Sequence, residues 1–372
     1  MRIILEKKQR RRRIACYAFI AAIAVLYITN FVLRAFVYHD GILKLLEDFI
    51  FPLCVVSSIY AVDWKKDHST NLIYKHIPKM KILAVCAPVV ATFLSFLTCP
   101  SGKDSIDFCI IVFAMTSMYI APYALRGSIQ KTCITIVAQA VWFFVLAANL
   151  NNNTAAMVTI AATAVVLLLC LPKLTWFISR EAHIRGKVTV AVIILVVALL
   201  CTLMIEQTGT LEAFYISSMG RPGLGSSAFV NRKCLEVFAN AKLVGSIAMD
   251  YYPDAIFSNR VLTYILANAG WAAMTPILLA MILLISSGIY LCRRSTAIQY
   301  YISVSFLTVM TVQTVGYALM CLLGWDELLF SEFCPFLDSG CYANILFLLM
   351  AVCILPPKQV TFKDLLDSLD LK

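Results

Sequence analysis

The chain has 372 residues, of which 61% are hydrophobic and only 14% are charged, and its mean hydropathy is +0.84. A soluble domain of this length carries far more charge, so the composition excludes an ordinary soluble globular protein and indicates a polytopic membrane protein. The net charge of +10 is explained below by membrane topology, and it is not taken as a nucleic-acid-binding surface.

Ten apolar runs recur from end to end of the chain, and each is long enough to cross a hydrocarbon core of about 30 Å as a helix. The predicted spans are residues 14–36, 43–62, 80–98, 106–125, 131–149, 154–172, 187–206, 261–292, 297–324 and 336–356. The predicted fold class is therefore an all-α polytopic membrane protein whose transmembrane helices are these ten runs.

The first run follows a basic block at residues 7–13 that could also belong to a secretory signal. No small-residue cleavage site follows it, so we predict a retained first helix with a cytoplasmic N-terminus. The loops that alternate to the inside carry most of the 31 Lys and Arg, and the outer loops carry most of the 21 Asp and Glu. Both termini are therefore predicted to be cytoplasmic.

One long loop, residues 207–260, lies outside in this topology and joins the seventh span to the eighth. A turn-forming stretch at residues 220–225 is followed by FVNRKCLEVFANAKLVG, whose apolar residues fall near helical spacing. This pattern predicts an amphipathic helix at the membrane interface. A helix that only lies on the headgroups and a helix that lines a substrate site both fit this segment. The apolar positions are Phe229, Leu235, Phe238 and Leu243.

Polar side chains inside the spans usually face a bundle interior or a cavity, because hydrocarbon penalises them. An amide in such a position often only links two helices, so for each residue alone a structural role is favoured over a functional one. The polar residues are Glu47, Asp48, Gln139, Asn268, Gln313 and Asn344.

Most of the fourteen cysteines lie within the spans, where Cys behaves as a small buried hydrophobe. Cys99 with Cys109 and Cys334 with Cys341 are spaced so that a disulfide could form in the outer loops, although reduced thiols are favoured. The sequence has no Cys-x-x-Cys motif and no Cys/His cluster with metal-ligand spacing, so no metal site is predicted.

The last outer loop, WDELLFSEFCPFLDSGCYANILF, has a Pro followed by small and polar residues where the chain enters a helix. That pattern predicts a re-entrant or cavity-lining turn. Together with Val312-Gln313 in the ninth span, the turn resembles a signature of the SEDS proteins, the group that includes FtsW, RodA and SpoVE. The family shows Pro-Phe-Ile-Ser-Tyr-Gly-Gly-Ser, and this chain has Pro-Phe-Leu-Asp-Ser-Gly-Cys at residues 335–341.

The resemblance to the SEDS proteins extends upstream into the long outer loop. That family also places its long loop between spans seven and eight, and residues 241–245, Ala-Lys-Leu-Val-Gly, resemble a segment of it. An acidic residue opens the family's eighth span eleven residues before a Gly, and the residue eleven before Gly270 is Asn259. The resemblance is best over residues 220–356 and architectural before them, and it implies one SEDS-like membrane domain over residues 1–372.

The resemblance implies a role in peptidoglycan synthesis during division, elongation or sporulation. SEDS proteins polymerise a polyprenyl-diphosphate-linked disaccharide-peptide on the outer face of the bacterial cytoplasmic membrane, and a class B penicillin-binding protein is the implied partner. The reaction needs a carboxylate that removes a hydroxyl proton and cations that receive the charge of the diphosphate. No cofactor is assigned, and a divalent cation at the diphosphate is kept as an option.

The acidic position of the family is the weak point of this match. An Asn amide cannot accept a proton at neutral pH, and loss of a general base typically costs about 10² to 10⁴ in rate. The candidate catalytic residues are therefore Asp254 and Asp338 as displaced acids, with Asn259 at the substituted position. The residues predicted to bind substrate are Arg221, Arg232, Lys233, Lys242, Arg260, Gln313, Pro335 and Gly340.

Three functions fit the sequence. The first is a divergent SEDS glycosyltransferase, and the second is a non-catalytic SEDS-like scaffold, which Asn259 favours. The third is a polytopic transporter or an O-antigen ligase-like enzyme with a large outer loop. Transporters tend to have interrupted helices in two related halves. No such halves are evident in the sequence, although Pro88 and Pro276 could break two spans.

Overall fold

The structure is a computed structural model, and every regular element that it describes is helical. The described residues are 2–37, 39–65, 227–247, 260–293, 297–323, 334–337 and 340–355. The helices are α1 (Arg2–Phe36), α2 (Ile42–Leu45), α3 (Phe51–Lys65), α4 (Ser227–Asn240), α5 (Val261–Ala269), α6 (Trp271–Cys292), α7 (Ala297–Leu323) and α8 (Cys341–Ile354), and a π-helical turn, Leu46–Ile50, joins α2 to α3.

Three of the described helices are long and apolar enough to cross a membrane. They are Arg10–Phe36 within α1, Trp271–Cys292, and Phe306–Leu323 within α7, and Ala343–Ile354 is a shorter apolar helix. These helices coincide with the first, eighth, ninth and tenth predicted spans. The five predicted spans between residues 80 and 206 lie outside the described residues.

The eighth predicted span is not one continuous helix, which corrects the sequence prediction. It divides into α5 and α6 at Gly270, whose backbone has φ 81° and ψ −173°. The N–H groups of Trp271 and Ala272 donate to the carbonyls of Lys242 and Leu243 at 3.0 Å and 2.9 Å. These carbonyls come from the segment after α4, and they satisfy the first donors of α6 in place of the turn of helix that would have preceded it.

Gly270 is required at this break for two reasons. Its φ is positive, and a Cβ atom there would lie 2.6 Å from the Lys242 carbonyl oxygen and 2.9 Å from that of Leu243. Only glycine lets backbone approach backbone so closely. The hydrophobic pattern missed the break because the residues on both sides of Gly270 are equally apolar.

The transmembrane helices pack around α6 and α7. α6 lies along α1 and α7, and α8 lies against α7 and α3. Gly288 allows α6 and α7 to approach, since a Cβ atom there would lie 2.5 Å from Leu307 Cδ1. Small residues at helix contacts are typical of membrane bundles. The core that results includes Phe19, Leu26, Leu262, Tyr317 and Phe347.

Large apolar side chains cover the outward faces of α1 and α6. Tyr17, Ile28 and Phe36 are exposed on α1, and Leu279 and Ile282 are exposed on α6. In a soluble protein these large apolar side chains would face water, whereas hydrocarbon accommodates them. The surface therefore agrees with the lengths of the helices in indicating a membrane protein.

Candidate functional site

Arg260 joins three helices at the point where the loop enters α5. Its side chain is 0% exposed. Nη1 donates to the Met320 carbonyl at 2.8 Å and contacts Cys234 Sγ at 3.4 Å, and Nη2 donates to Asn231 Oδ1 at 2.6 Å. Asn231 and Cys234 belong to α4, and Met320 belongs to the last turn of α7, so one guanidinium connects α4, α5 and α7.

The N-terminus of α5 contacts the C-terminal end of α7. The Val261 N–H donates to the Tyr317 hydroxyl at 3.0 Å, and the Thr263 hydroxyl donates to the Cys321 carbonyl. The last carbonyls of a helix have no partner within it and carry the negative end of its dipole, which favours a cation such as Arg260 beside them. We call this contact region the Arg260 joint: Asn231, Cys234, Arg260, Val261, Thr263, Tyr317, Met320 and Cys321.

α4 confirms the predicted helix in the long loop, and it buries a face that the sequence analysis did not single out. Val230, Cys234 and Val237 are buried against α5 and α7. Leu235 and Phe238 are exposed instead. The spacing of Val230, Cys234 and Val237, at i, i+4 and i+7, was a readable signal, but larger apolar residues nearby obscured it.

The four described cations predicted to bind substrate lie in different surroundings. Arg232 and Lys242 are exposed. Lys233 donates to Glu236 Oε2 at 2.8 Å on the same helix and lies 5.9 Å from the centre of the Phe229 ring. Arg260 is buried in the joint. Of these cations, Arg232 and Lys242 are thus the ones most open to an anionic ligand.

The chain turns at Pro335, as the sequence predicted, before it enters α8. Phe336 has φ 68°, its ring is buried, and its centre lies 5.8 Å from that of Phe347. The Leu337 N–H donates to the Cys334 carbonyl at 3.2 Å. A non-glycine residue at positive φ is uncommon and persists only where the surroundings hold it. We call the described residues 334–337 and 340 the Pro-Phe turn; residues 338 and 339 lie outside the described residues.

A polar cluster fixes the first turn of α8 to the beginning of the second predicted span. Asp48 Oδ1 accepts the Cys341 N–H at 3.0 Å, and Asp48 Oδ2 lies 3.1 Å from Arg34 Nη1. The Asn344 side chain donates to the Asp48 carbonyl at 2.9 Å. Arg34 also lies 3.4 Å from Asp40 Oδ2. Sequence reasoning identified Asp48 and Asn344 separately and could not pair them.

Gln313 is completely buried in α7, four residues before Tyr317 of the joint. Within the described part of the chain, neither its Oε1 nor its Nε2 has a hydrogen-bond partner. A buried amide in this condition typically costs about 1 to 3 kcal/mol, so a polar partner for Gln313 would stabilise the fold. The role of Gln313 in substrate binding stays a prediction.

The other polar residues from the spans divide into buried and exposed. Asp48 and Asn344 are buried as expected, whereas Glu47 and Asn268 are exposed, and Gln139 lies outside the described residues. Cys334 and Cys341 are not joined by a disulfide, while Cys99 and Cys109 lie outside the described ranges. No group of three or more His, Cys, Asp or Glu comes together among the residues that the structure describes.

The three candidate catalytic residues lie outside the described residues. They are Asp254, Asn259 and Asp338, and the predicted cation Arg221 lies outside as well. Arg260, which follows Asn259 in sequence, is described, and so are Leu337 and Gly340 on either side of residues 338 and 339. The assignments of these residues stay predictions.

Comparison with known proteins identifies the fold. No family model matches the chain, and no curated protein sequence matches it. A structure of a peptidoglycan synthase complex that coordinates polymerization and crosslinking matches over 91% of this chain and 96% of its own, with a TM-score of 0.60 and 13% identity. A variant of the rod shape determining protein RodA from Thermus thermophilus matches over 92% of this chain and 98% of its own, with a TM-score of 0.54 and 12% identity.

The apolar helices and the shared fold define a multi-pass α-helical membrane protein, as predicted. More narrowly, the fold is similar to that of RodA, so the resemblance to the SEDS proteins is confirmed at the level of the fold. At sequence identities of 12% and 13%, these two structures show a similarity of fold alone.

Proposed function

We propose that the chain is a divergent SEDS-like protein of cell-wall synthesis in the bacterial cytoplasmic membrane. It binds a polyprenyl-diphosphate-linked disaccharide-peptide at the outer membrane face. The observation that carries the proposal is the RodA-like fold. The similarity covers nine-tenths of the chain, so it is not limited to a single pair of helices. The match of the Pro-Phe turn and of the loop between spans seven and eight to the SEDS pattern adds to it.

The proposed architecture is one SEDS-like membrane domain over residues 1–372, with ten transmembrane helices, cytoplasmic termini and the outer loop 207–260. The basic N-terminal end of α1 then lies inside, which puts Arg34 and Asp48 at the outer face. Because Asp48 contacts Cys341, the first residue of α8, the Pro-Phe turn lies at the same face. The loop helix α4 and the Arg260 joint belong to that face as well.

We assign two different roles to the cations of the site: some bind substrate, and one stabilises the fold. Arg232 and Lys242 are exposed and suit the diphosphate, with a divalent cation as an additional carrier of charge. Arg260, by contrast, is already bonded to three protein groups. Asp254 or Asp338 supplies the base that Asn259 cannot supply.

The proposed partner is a class B penicillin-binding protein, which would crosslink the glycan strand that this chain extends. The presence of a peptidoglycan synthase complex among the similar structures supports this choice. Co-purification of the full chain with such a partner from the same cell is the direct check, and failure to co-purify under conditions that preserve other membrane complexes would count against it.

Purified full-length protein in nanodiscs, incubated with lipid-linked disaccharide-pentapeptide, tests the activity. We expect glycan strands from the wild type and a loss of about 10² to 10⁴ in rate for whichever of Asp254→Ala and Asp338→Ala removes the base. Arg232→Gln should weaken binding of the precursor. Strand synthesis that survives both Ala substitutions would refute both base assignments.

A second candidate function is a non-catalytic scaffold that binds the precursor or the partner, and the specific observation in its favour is Asn259. In that case the wild type binds precursor without polymerising it. Asn259→Asp then separates the two candidates, because it should create activity if position 259 is the only defect. Measurable polymerisation by the wild type, free of contaminating synthases, would exclude the scaffold.

A further inference from the structure

Asp48 performs for α8 the function that an N-cap residue performs in most helices. α8 begins directly after Gly340, which has no side chain that could accept a hydrogen bond from the first N–H groups. The Asp48 carboxylate, 293 positions away in sequence, accepts the Cys341 N–H at 3.0 Å. A carboxylate at a helix N-terminus is also favoured by the helix dipole.

The position of Asp48 is fixed from both sides. Its second oxygen lies 3.1 Å from Arg34 Nη1 at the end of α1, and its side chain is only 11% exposed. Its backbone carbonyl lies in the π-helical turn and accepts the Asn344 side chain at 2.9 Å. A π-helical turn displaces carbonyls from the regular helical pattern and occurs frequently at functional sites. Two bonds to α8 and one to α1 therefore converge on one residue.

The segment that Asp48 holds contains strained backbone. Phe336 has φ 68°, a conformation that costs on the order of 1 to 3 kcal/mol for a non-glycine residue. The Phe336 ring, packed on Phe347, anchors one end of the Pro-Phe turn. The bond from Cys341 to Asp48 anchors the other end. Gly340, which is predicted to bind substrate, directly precedes Cys341 at this second anchor.

From this geometry we infer that Asp48 is a positioning residue for the Pro-Phe turn: together with Arg34 it sets where Gly340 stands in the site. The inference rests on the proposed function for what the turn does, and on the contacts of Asp48 for how the turn is held. Asp48 is not placed in contact with substrate, so it acts through the turn. A displacement of about 1 Å in a catalytic segment can cost on the order of 10² in rate.

Hydrogen exchange of the full chain in nanodiscs, measured by mass spectrometry, tests how the turn is held. We expect peptides spanning residues 334–345 to exchange about tenfold faster in Asp48→Ala, while peptides of α4 exchange as in the wild type. Asp48→Asn keeps an oxygen that can accept the Cys341 N–H, so exchange there should return to near the wild-type rate. Lys44→Gln is the matched control, because Lys44 is exposed and its ammonium pairs with Asp40 at 3.2 Å.

The functional measurement uses the lipid-linked disaccharide-pentapeptide as the probe. For Asp48→Ala we expect kcat to fall about 10²-fold with the KM within a few-fold of the wild type, and Asp48→Asn to restore most of kcat. If the wild type binds without turnover, precursor affinity replaces kcat and should fall for Asp48→Ala and recover for Asp48→Asn. Faster exchange at the turn with no change in kcat or affinity would overturn the inference.

The two measurements separate this inference from the proposed function. Unchanged exchange at residues 334–345 in Asp48→Ala, or an equal increase throughout the chain, would refute the role of Asp48 whatever the activity. A wild-type chain that neither polymerises nor binds the precursor would refute the proposed function instead, and the exchange result would still decide whether Asp48 holds the turn.

Discussion

Substituting Gly270 by Ala should break the contact between the long loop and the start of α6. The φ of 81° with ψ −173° lies in a region that is essentially restricted to glycine, and a side chain there costs about 1 to 3 kcal/mol. The added Cβ would lie 2.6 Å from the Lys242 carbonyl oxygen, so the loop has to retreat. Retreat breaks the bonds from Trp271 and Ala272, at about 0.5 to 1.5 kcal/mol each.

Together the strain and the two lost hydrogen bonds destabilise the Gly270→Ala variant by about 2 to 6 kcal/mol. At roughly 2 °C per kcal/mol for a large chain, the apparent Tm in detergent should fall by about 4 to 12 °C at a fixed scan rate. Hydrogen exchange should also accelerate at residues 241–247, where the Ile247 N–H donates to the Ala267 carbonyl at 2.9 Å.

Gly41→Ala is the matched control for Gly270→Ala. Gly41 has φ −62°, and no described atom lies within 4 Å of a Cβ built on it. Replacing Gly by Ala at this N-cap position costs at most about 1 kcal/mol. Equal melting of the two variants, with no faster exchange at residues 241–247 in Gly270→Ala, would show that the loop carbonyls do not hold the start of α6.

Two further predictions concern the joint and the helix contact. Arg260→Met leaves the Met320 carbonyl and Asn231 Oδ1 without this donor, so we expect the free energy of unfolding to fall by about 2 to 6 kcal/mol and proteolysis of the outer loop to begin earlier. The control is Arg232→Met on the exposed face, which should have the Tm of the wild type. A wild-type Tm for Arg260→Met would refute the contacts of the Arg260 joint. Gly288→Ala crowds Leu307 and should cost about 1 to 3 kcal/mol. Adding Leu307→Ala should recover part of that loss, and strictly additive effects on Tm would contradict the contact.

Local chemistry determined the membrane class of this chain. Hydrocarbon imposes a minimum length on an apolar helix, and the charge of the flanking loops biases its orientation. The first effect is visible in α1 and α7, which are long and apolar enough to cross a membrane whatever their partners. The helix in the long loop was equally predictable, because its apolar residues repeat at helical spacing in α4.

The tertiary structure decided which side chains of α4 are buried. Val230, Cys234 and Val237 fit against α5 and α7, while the larger Leu235 stays exposed. Periodicity locates an apolar face, but the shape of the partner surface selects among neighbouring apolar residues. The folded partners also decide the surroundings of Arg260. The sequence predicts a cation that binds an anionic substrate there, and the structure shows its guanidinium bonded to Met320 and Asn231.

Contacts between distant segments account for the rest of what the sequence alone left open. The break at Gly270 depends on the carbonyls of Lys242 and Leu243, and the cap of α8 depends on Asp48 at the other end of the chain. A glycine or an aspartate in the sequence does not specify its partner, because the partner is selected by the folded backbone. The sequence by itself thus determined the membrane class and the SEDS resemblance, and only the packed helices decided which polar groups meet.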